Sequence, residues 1–205
     1  MNHEFKHILL VSDLVEINGK FYGFCVFQDL SNIYQQNEKL KYLSFHDELT
    51  GLYNRNYFEN EIKKYSDGRM DPVGVFVFDV DGMKLINDSL GHQAGDKALQ
   101  GMAKILRKTF RKSDIVCRVG GDEFAILIPH ASFNLMQILL ERVKSIYLEL
   151  KDKFDVPLYF SIGYSIGNTR DEEFENIFKR ADISMYSNKF SKRNESYEKI
   201  LKSIH

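Results

Sequence analysis

Apolar residues recur along this chain with two periods, and the places where one gives way to the other predict its elements. Residues 8–16 and 21–27 are apolar runs of strand length joined around Asn18-Gly19, a pair that tolerates the positive φ a tight hairpin demands. Leu30, Ile33, Asn37, Leu40 and Ser44 then recur at three-then-four spacing. That is the pattern of a short two-stranded coiled-coil seam, with Asn37 at a position that favours two strands, and equally of an amphipathic connector. A helix is predicted from about Asn56, with Phe58, Ile62 and Tyr65 on one face and Asp67-Gly68 as its stop. The run 73–78 is unbroken, as a strand covered on both faces requires, and it leads into Asp79-Val80-Asp81. Residues 97–110 carry Leu99, Met102, Ala103, Leu106 and Phe110 at helical spacing. Two strands, 115–117 and 125–128, flank Gly120-Gly121-Asp122-Glu123. A helix over 134–150 places Leu135, Ile138, Leu139, Arg142, Ile146 and Leu150 close to one face, and Pro157 precedes a strand over 158–166. The acids Asp171-Glu172-Glu173 suit the start of a last helix.

With 205 residues, 43% of them hydrophobic, the chain can bury one sizeable core and carry a small appendage. A net charge of −1 and a pI near 6.6 give no global basic field, so bulk electrostatics point to neither nucleic acid nor an anionic membrane as a partner. The sequence has no signal peptide and no stretch long enough to span a bilayer, so a cytoplasmic setting is expected, alone or within a longer, membrane-associated sensor. Cys25 and Cys117 lie far apart in apolar strand patterns and are expected as small buried hydrophobes, not as a disulfide or metal site.

The chemistry concentrates in two places. Gly120-Gly121-Asp122-Glu123 reads as a hairpin tip whose glycines permit positive φ and a close approach of backbone to ligand, while the adjacent acids suit metal-bound phosphate. A plain structural turn has similar letters. Asp79, at the end of the most apolar strand, is the second acidic point. Mg²⁺ usually takes one or two carboxylates together with substrate phosphates and water, and Asp79 with Glu123 is an adequate set.

Taken together, these segments closely resemble the GGDEF family of diguanylate cyclases over about residues 43–194. Asp47-Glu48-Leu49-Thr50-Gly51-Leu52-Tyr53-Asn54-Arg55 is similar to its D-x-LTGLxNR signature, and Asp79 through Asp88 to its DxDxFKxxND motif. Gly91-His92-Gln93-Ala94-Gly95-Asp96 matches GHxxGD, and Ala181-Asp182 through Met185-Tyr186, Lys189 and Arg193-Asn194 resembles its closing helix. The resemblance implies a mixed α/β, α+β sandwich fold akin to polymerase palms and adenylyl cyclases: a central, mostly antiparallel sheet flanked by helices, here behind an N-terminal β-hairpin and linker helix. It implies two Mg²⁺ ions, replaceable by Mn²⁺, held on GTP by Asp79, the Val80 carbonyl, Asp122 and Glu123. Lys84 and Lys189 would meet phosphate oxygens, with Arg193, Gly120 and Gly121 also on the substrate. Asn87 and Asp96 match the positions that read guanine, whose N1 and N2 donors adenine lacks. His92 is either a ligand contact or a helix–loop packing residue. Met83 and Lys192 depart from the family, which has an aromatic residue and a glycine there; the latter bears on the geometry of Arg193.

Further expectations follow from the resemblance. Arg111-Lys112-Ser113-Asp114 looks like the family's RxxD inhibitory site, with Arg142 as a third contact, although basic residues beside a helix C-terminus also complement its dipole. Residues 1–29 resemble the end of a PAS-like sensor domain, 30–45 a linker, and 46–205 the cyclase domain. The implied activity is condensation of two GTP into cyclic di-GMP and two pyrophosphates across a homodimer, with product feedback. Asp122 would act as general base or metal ligand. The alternative is a catalytically idle GGDEF domain that binds GTP or cyclic di-GMP and signals through protein contact.

Overall fold

The computed structural model describes residues 6–65 and 67–204, and the side chains of all of these but 192–197, 199, 203 and 204. The chain divides into two units, residues 1–44 and 45–205.

In the first unit, β1 (Ile8–Ile17) and β2 (Lys20–Asp29) pair antiparallel from Ile8↔Asp29 to Ile17↔Lys20. Asn18 (φ 55°) and Gly19 (φ 75°) take the left-handed turn that their sequence favours. Every residue of both strands is exposed. Cys25 is therefore exposed, against the expectation of a buried hydrophobe; a two-stranded ribbon has no second layer to cover it, whereas Cys117 lies in the core. The helix α1 (Ser31–Phe45) covers the predicted seam, and none of its residues is buried.

The second unit is built on a four-stranded sheet of order β4-β5-β3-β6, antiparallel at every pairing. These strands are β3 (Val73–Val80), β4 (Ile115–Arg118), β5 (Glu123–Ile128) and β6 (Phe160–Gly167). Central β3 is buried at all its residues, as the unbroken apolar run requires. Its alternate side chains feed two cores. Phe76, Phe78 and Val80 pack with α4 (His92–Thr109) and α5 (Phe133–Leu150), whereas Val73, Val75 and Val77 pack with α2 (Arg55–Tyr65) and α6 (Phe174–Ile204). The result is the expected mixed α/β arrangement of a palm-like antiparallel sheet between helical layers.

Two helices depart from the sequence reading. A separate helix α3 (Met83–Leu90) follows β3, and α4 starts at His92 instead of near Lys97, the two meeting at Gly91. On α5 the buried positions are Met136, Leu139, Val143 and Leu150, while Ile138 is 56% exposed, so the core-facing stripe is rotated from the predicted one.

Candidate active site

The site begins with register. Asp79 and Glu123 are Cα partners across β3 and β5, and their parity with Val77 and Ala125 turns both toward the α2/α6 face. Cross-strand partners in an antiparallel pair hold their Cβ atoms about 5 Å apart, so two acids distant in sequence become neighbours. The backbone ties this corner again where Val80 N donates to the Asp122 carbonyl at 3.0 Å. Asp122 is half-buried and Glu123 exposed. The Asp81 side chain is buried and accepts from Ser161 Oγ at 2.9 Å.

Gly120 and Gly121 do not have positive φ. Space explains the first of them: a Cβ on Gly120 would stand 2.6 Å from Glu123 Oε2, so a side chain there would push the carboxylate away. Gly121 has open space around it, which leaves that side of the turn free for a ligand.

Over the acid pair lies α6. Lys189 Nζ reaches Asp79 Oδ1 at 2.6 Å, and the neighbouring Asn188 Oδ1 accepts from Ile162 N at 3.2 Å, pinning this part of the helix to β6. Burial pushes the Asp79 carboxyl up to about 6; the Lys189 ammonium opposes this, and the charges of Asp122 and Asp81 reinforce it. Burial acts on Lys189 in the downward direction, but its bond to Asp79 and the surrounding carboxylates hold it above the usual lysine range. Lys189 is only one counter-charge for Asp79, Asp81 and Asp122, so this corner can take a further cation. Among the described residues no group of three or more His, Cys, Asp or Glu is gathered as a ready-made metal cage. The donor set nevertheless fits Mg²⁺, which takes few protein carboxylates and completes its shell from phosphate and water.

The expected guanine readers stand on α3 and α4. Asn87 is half-buried and its Oδ1 lies against Gly95, where any Cβ would collide with it. The absence of a side chain at Gly95 thus makes room for Asn87, and Asp96 is exposed at the next position of α4. His92 and Lys84 are exposed on the first turns of α4 and α3. The side chain of Arg193 lies outside those described.

The RxxD segment forms a turn just after α4. Arg111 N donates to Asp114 Oδ2 at 2.8 Å, and Asp114 N donates to the Arg111 carbonyl at 3.0 Å. Arg142 Nη2 donates to the Lys108 carbonyl at 3.1 Å, which brings it to the end of the helix leading into Arg111. Strand β4 separates this cluster from the acid turn.

Sequence reasoning gave no role to Arg118 and none of its own to Asp47. Arg118 Nη1 donates to both Asp47 oxygens at 3.1 Å, while its Nε and Nη2 donate to the Gly121 carbonyl at 3.2 and 2.7 Å. Burial would raise the Asp47 carboxyl, but hydrogen bonds from Thr50 and the Arg118 guanidinium hold it below the usual range. The available signal was position: Asp47 opens the first motif, and Arg118 stands two residues before Gly120.

An antiparallel, palm-like sheet that brings opposed carboxylates to one end beneath a lysine is the frame of a GGDEF domain. The chain belongs to that family: the description "diguanylate cyclase, GGDEF domain" matches residues 44–195. It is 29% identical over 199 residues to diguanylate cyclase DgcM of Escherichia coli K12, covering 92% of this chain and 47% of that protein. The chain spans about half the length of the curated relatives it matches. Among solved structures, the coiled coil and GGDEF domain of DgcB from Caulobacter crescentus, in complex with c-di-GMP, shares the fold. Its TM-score is 0.71 at 23% identity, over 80% of this chain and 91% of that one. The GGDEF domain of YfiN (TpbB) from Pseudomonas aeruginosa is 33% identical with a TM-score of 0.61, over 72% of this chain and 90% of that one.

Proposed function

We propose that the chain is a diguanylate cyclase that condenses two GTP into cyclic di-GMP. The observation that carries this reading is the Asp79/Glu123 cross-strand pair under Lys189, at the end of a buried strand in a GGDEF domain. In each half-reaction the 3′-oxygen of one GTP bonds to the α-phosphorus of the other. The bond from that phosphorus to the α–β bridging oxygen breaks, and pyrophosphate leaves with the electron pair. Asp122 takes the hydroxyl proton as general base, or serves as a metal ligand while solvent takes it.

Two bound Mg²⁺ ions, or Mn²⁺ in their place, held by Asp79, the Val80 carbonyl, Asp122 and Glu123, would neutralise triphosphate charge and lower the pKa of the attacking hydroxyl. Lys189 and Lys84 hold phosphate oxygens, a role that the family motif also gives to Arg193. On binding, Lys189 exchanges its bond to Asp79 for phosphate. Gly120 and Gly121 let the substrate approach the turn. Asp96 selects guanine by accepting from its N1 and N2, the Asn87 amide reads the same base, and His92 lies at the start of the helix that carries Asp96. Most of the rate enhancement is positioning and electrostatics.

Each domain holds one GTP, so turnover requires a homodimer, and α1 is the segment to supply it. Residues 1–29 are read as a PAS-like remnant, 30–45 as the linker and 46–205 as the cyclase domain, in a cytoplasmic setting. Arg111, Asp114 and Arg142 form a product site through which cyclic di-GMP lowers turnover, a reading supported by their convergence at the end of α4.

Pyrophosphate release tests the reading. The purified protein with Mg²⁺ should release pyrophosphate from GTP and not from ATP; equal release from both, or none from either, would contradict it.

A further inference from the structure

We infer that Arg118, oriented by Asp47, is a positioning residue of the acid turn; this rests on the cyclase reading above. The turn that carries Asp122 and Glu123 contains two glycines, whose backbone has the most freedom to lose. Val119 N and Gly120 N donate to the Glu123 carbonyl at 3.0 and 3.3 Å within the turn, and two further anchors hold its Gly121 and Asp122 carbonyls. One is the hydrogen bond from Val80 N to the Asp122 carbonyl, and the other is the Arg118 fork on the Gly121 carbonyl.

The fork is itself braced. The Arg118 side chain is only 15% exposed and that of Asp47 23%. Asp47 Oδ1 also accepts from Thr50 N at 2.8 Å and Thr50 Oγ1 at 2.6 Å, so the carboxylate has little freedom to swing. The backbone runs alongside: Tyr53 N donates to the Val116 carbonyl at 3.2 Å and Arg118 N to the Tyr53 carbonyl at 2.8 Å. The opening segment 47–53 is thus stitched to the edge strand that leads into the turn.

Arg118 sets the direction in which the Gly121 peptide points, and with it the angle at which the next two residues present their carboxylates. It has no contact with phosphate in this role. Lysine could keep the charge opposite Asp47 but could not serve both Asp47 and the carbonyl from separate nitrogens of one plane.

The test pairs kinetics with local hydrogen exchange on the full chain. Arg118→Lys should lower kcat about 10- to 100-fold, as misplacement of a reacting group by about 1 Å does, while KM for GTP stays within about threefold, since Asn87 and Asp96 stand on other elements. Amide exchange at residues 120–123 should accelerate, with exchange in β3 and β6 unchanged. Asp47→Asn, which keeps the shape but weakens the brace, should fall between wild type and Arg118→Lys on both readouts. Wild-type kcat with unchanged exchange at 120–123 overturns the inference, as does exchange raised uniformly across the sheet, which marks a purely structural residue. Should wild type make no cyclic dinucleotide while exchange at 120–123 still rises in Arg118→Lys, the cyclase reading fails and the clamp stands.

Discussion

Two charged clusters lie at opposite ends of the four-residue strand β4, and they are built differently. At the acid turn Asp79 is buried at the end of a fully covered strand, matched in register to Glu123 and bound by Lys189. At the RxxD segment Arg111 and Arg142 are exposed, and the bonds that shape the turn are made by backbone N–H groups. The difference matches the two tasks proposed for them. Buried, fixed charge suits a transition state, which rewards groups that need no reorganisation, whereas exposed guanidiniums at a helix end suit a ligand that must come and go.

The largest expected effect comes from breaking the buried cluster. Asp79→Ala or Glu123→Ala should lower cyclic di-GMP formation on the order of 10³-fold or more, with the far-UV circular dichroism spectrum unchanged. Near wild-type turnover in both variants would remove the metal assignment. Next comes the exposed cluster, where Arg111→Ala should weaken cyclic di-GMP binding in calorimetry roughly 30-fold while GTP affinity is retained. An unchanged product isotherm would take this segment out of the account.

A smaller effect is expected outside both clusters. If α1 brings two domains together, Ile33→Asp with Leu40→Asp should weaken self-association and lower specific activity several-fold at dilute protein, with partial recovery at high concentration. Identical sedimentation and identical activity across a dilution series would make the segment a tether. The smallest concerns Glu172, whose bond from Arg180 Nη2 at 2.7 Å holds its carboxyl below 4.5. A depressed acid contributes stability above its unfolded pKa and loses it as pH falls through its folded pKa, so Glu172→Gln should cost on the order of 0.5 kcal/mol at neutral pH and progressively less as the pH falls below the ordinary glutamate range. Urea midpoints of both proteins across that range check the sign.

Much of this frame was legible in the sequence because burial is written in periodicity. The run ending at Asp79 announced a covered strand, and Leu99, Met102, Ala103 and Leu106 announced the face of α4, all four of them buried. Helix α3 was hidden because it is short and bounded by Gly82 and Gly91, letters that also serve a loop. The hairpin shows the converse limit: β1 and β2 have strand composition, yet pattern alone does not supply a layer to cover them. At the site, motif letters located Asp79 and the acid turn, but the match of Asp79 to Glu123 depends on register between strands distant in sequence. Arg118 escaped notice because its function is written in where its guanidinium points, which depends on Asp47 arriving from another part of the chain.

The most direct test is nucleotide chromatography after incubating the purified chain with GTP and Mg²⁺ at several protein concentrations. The account predicts cyclic di-GMP and two pyrophosphates per product, with specific activity rising with protein concentration and none of the product formed from ATP. Protein that binds GTP and self-associates but leaves it unconverted at every concentration would contradict the account and establish an idle, ligand-binding domain.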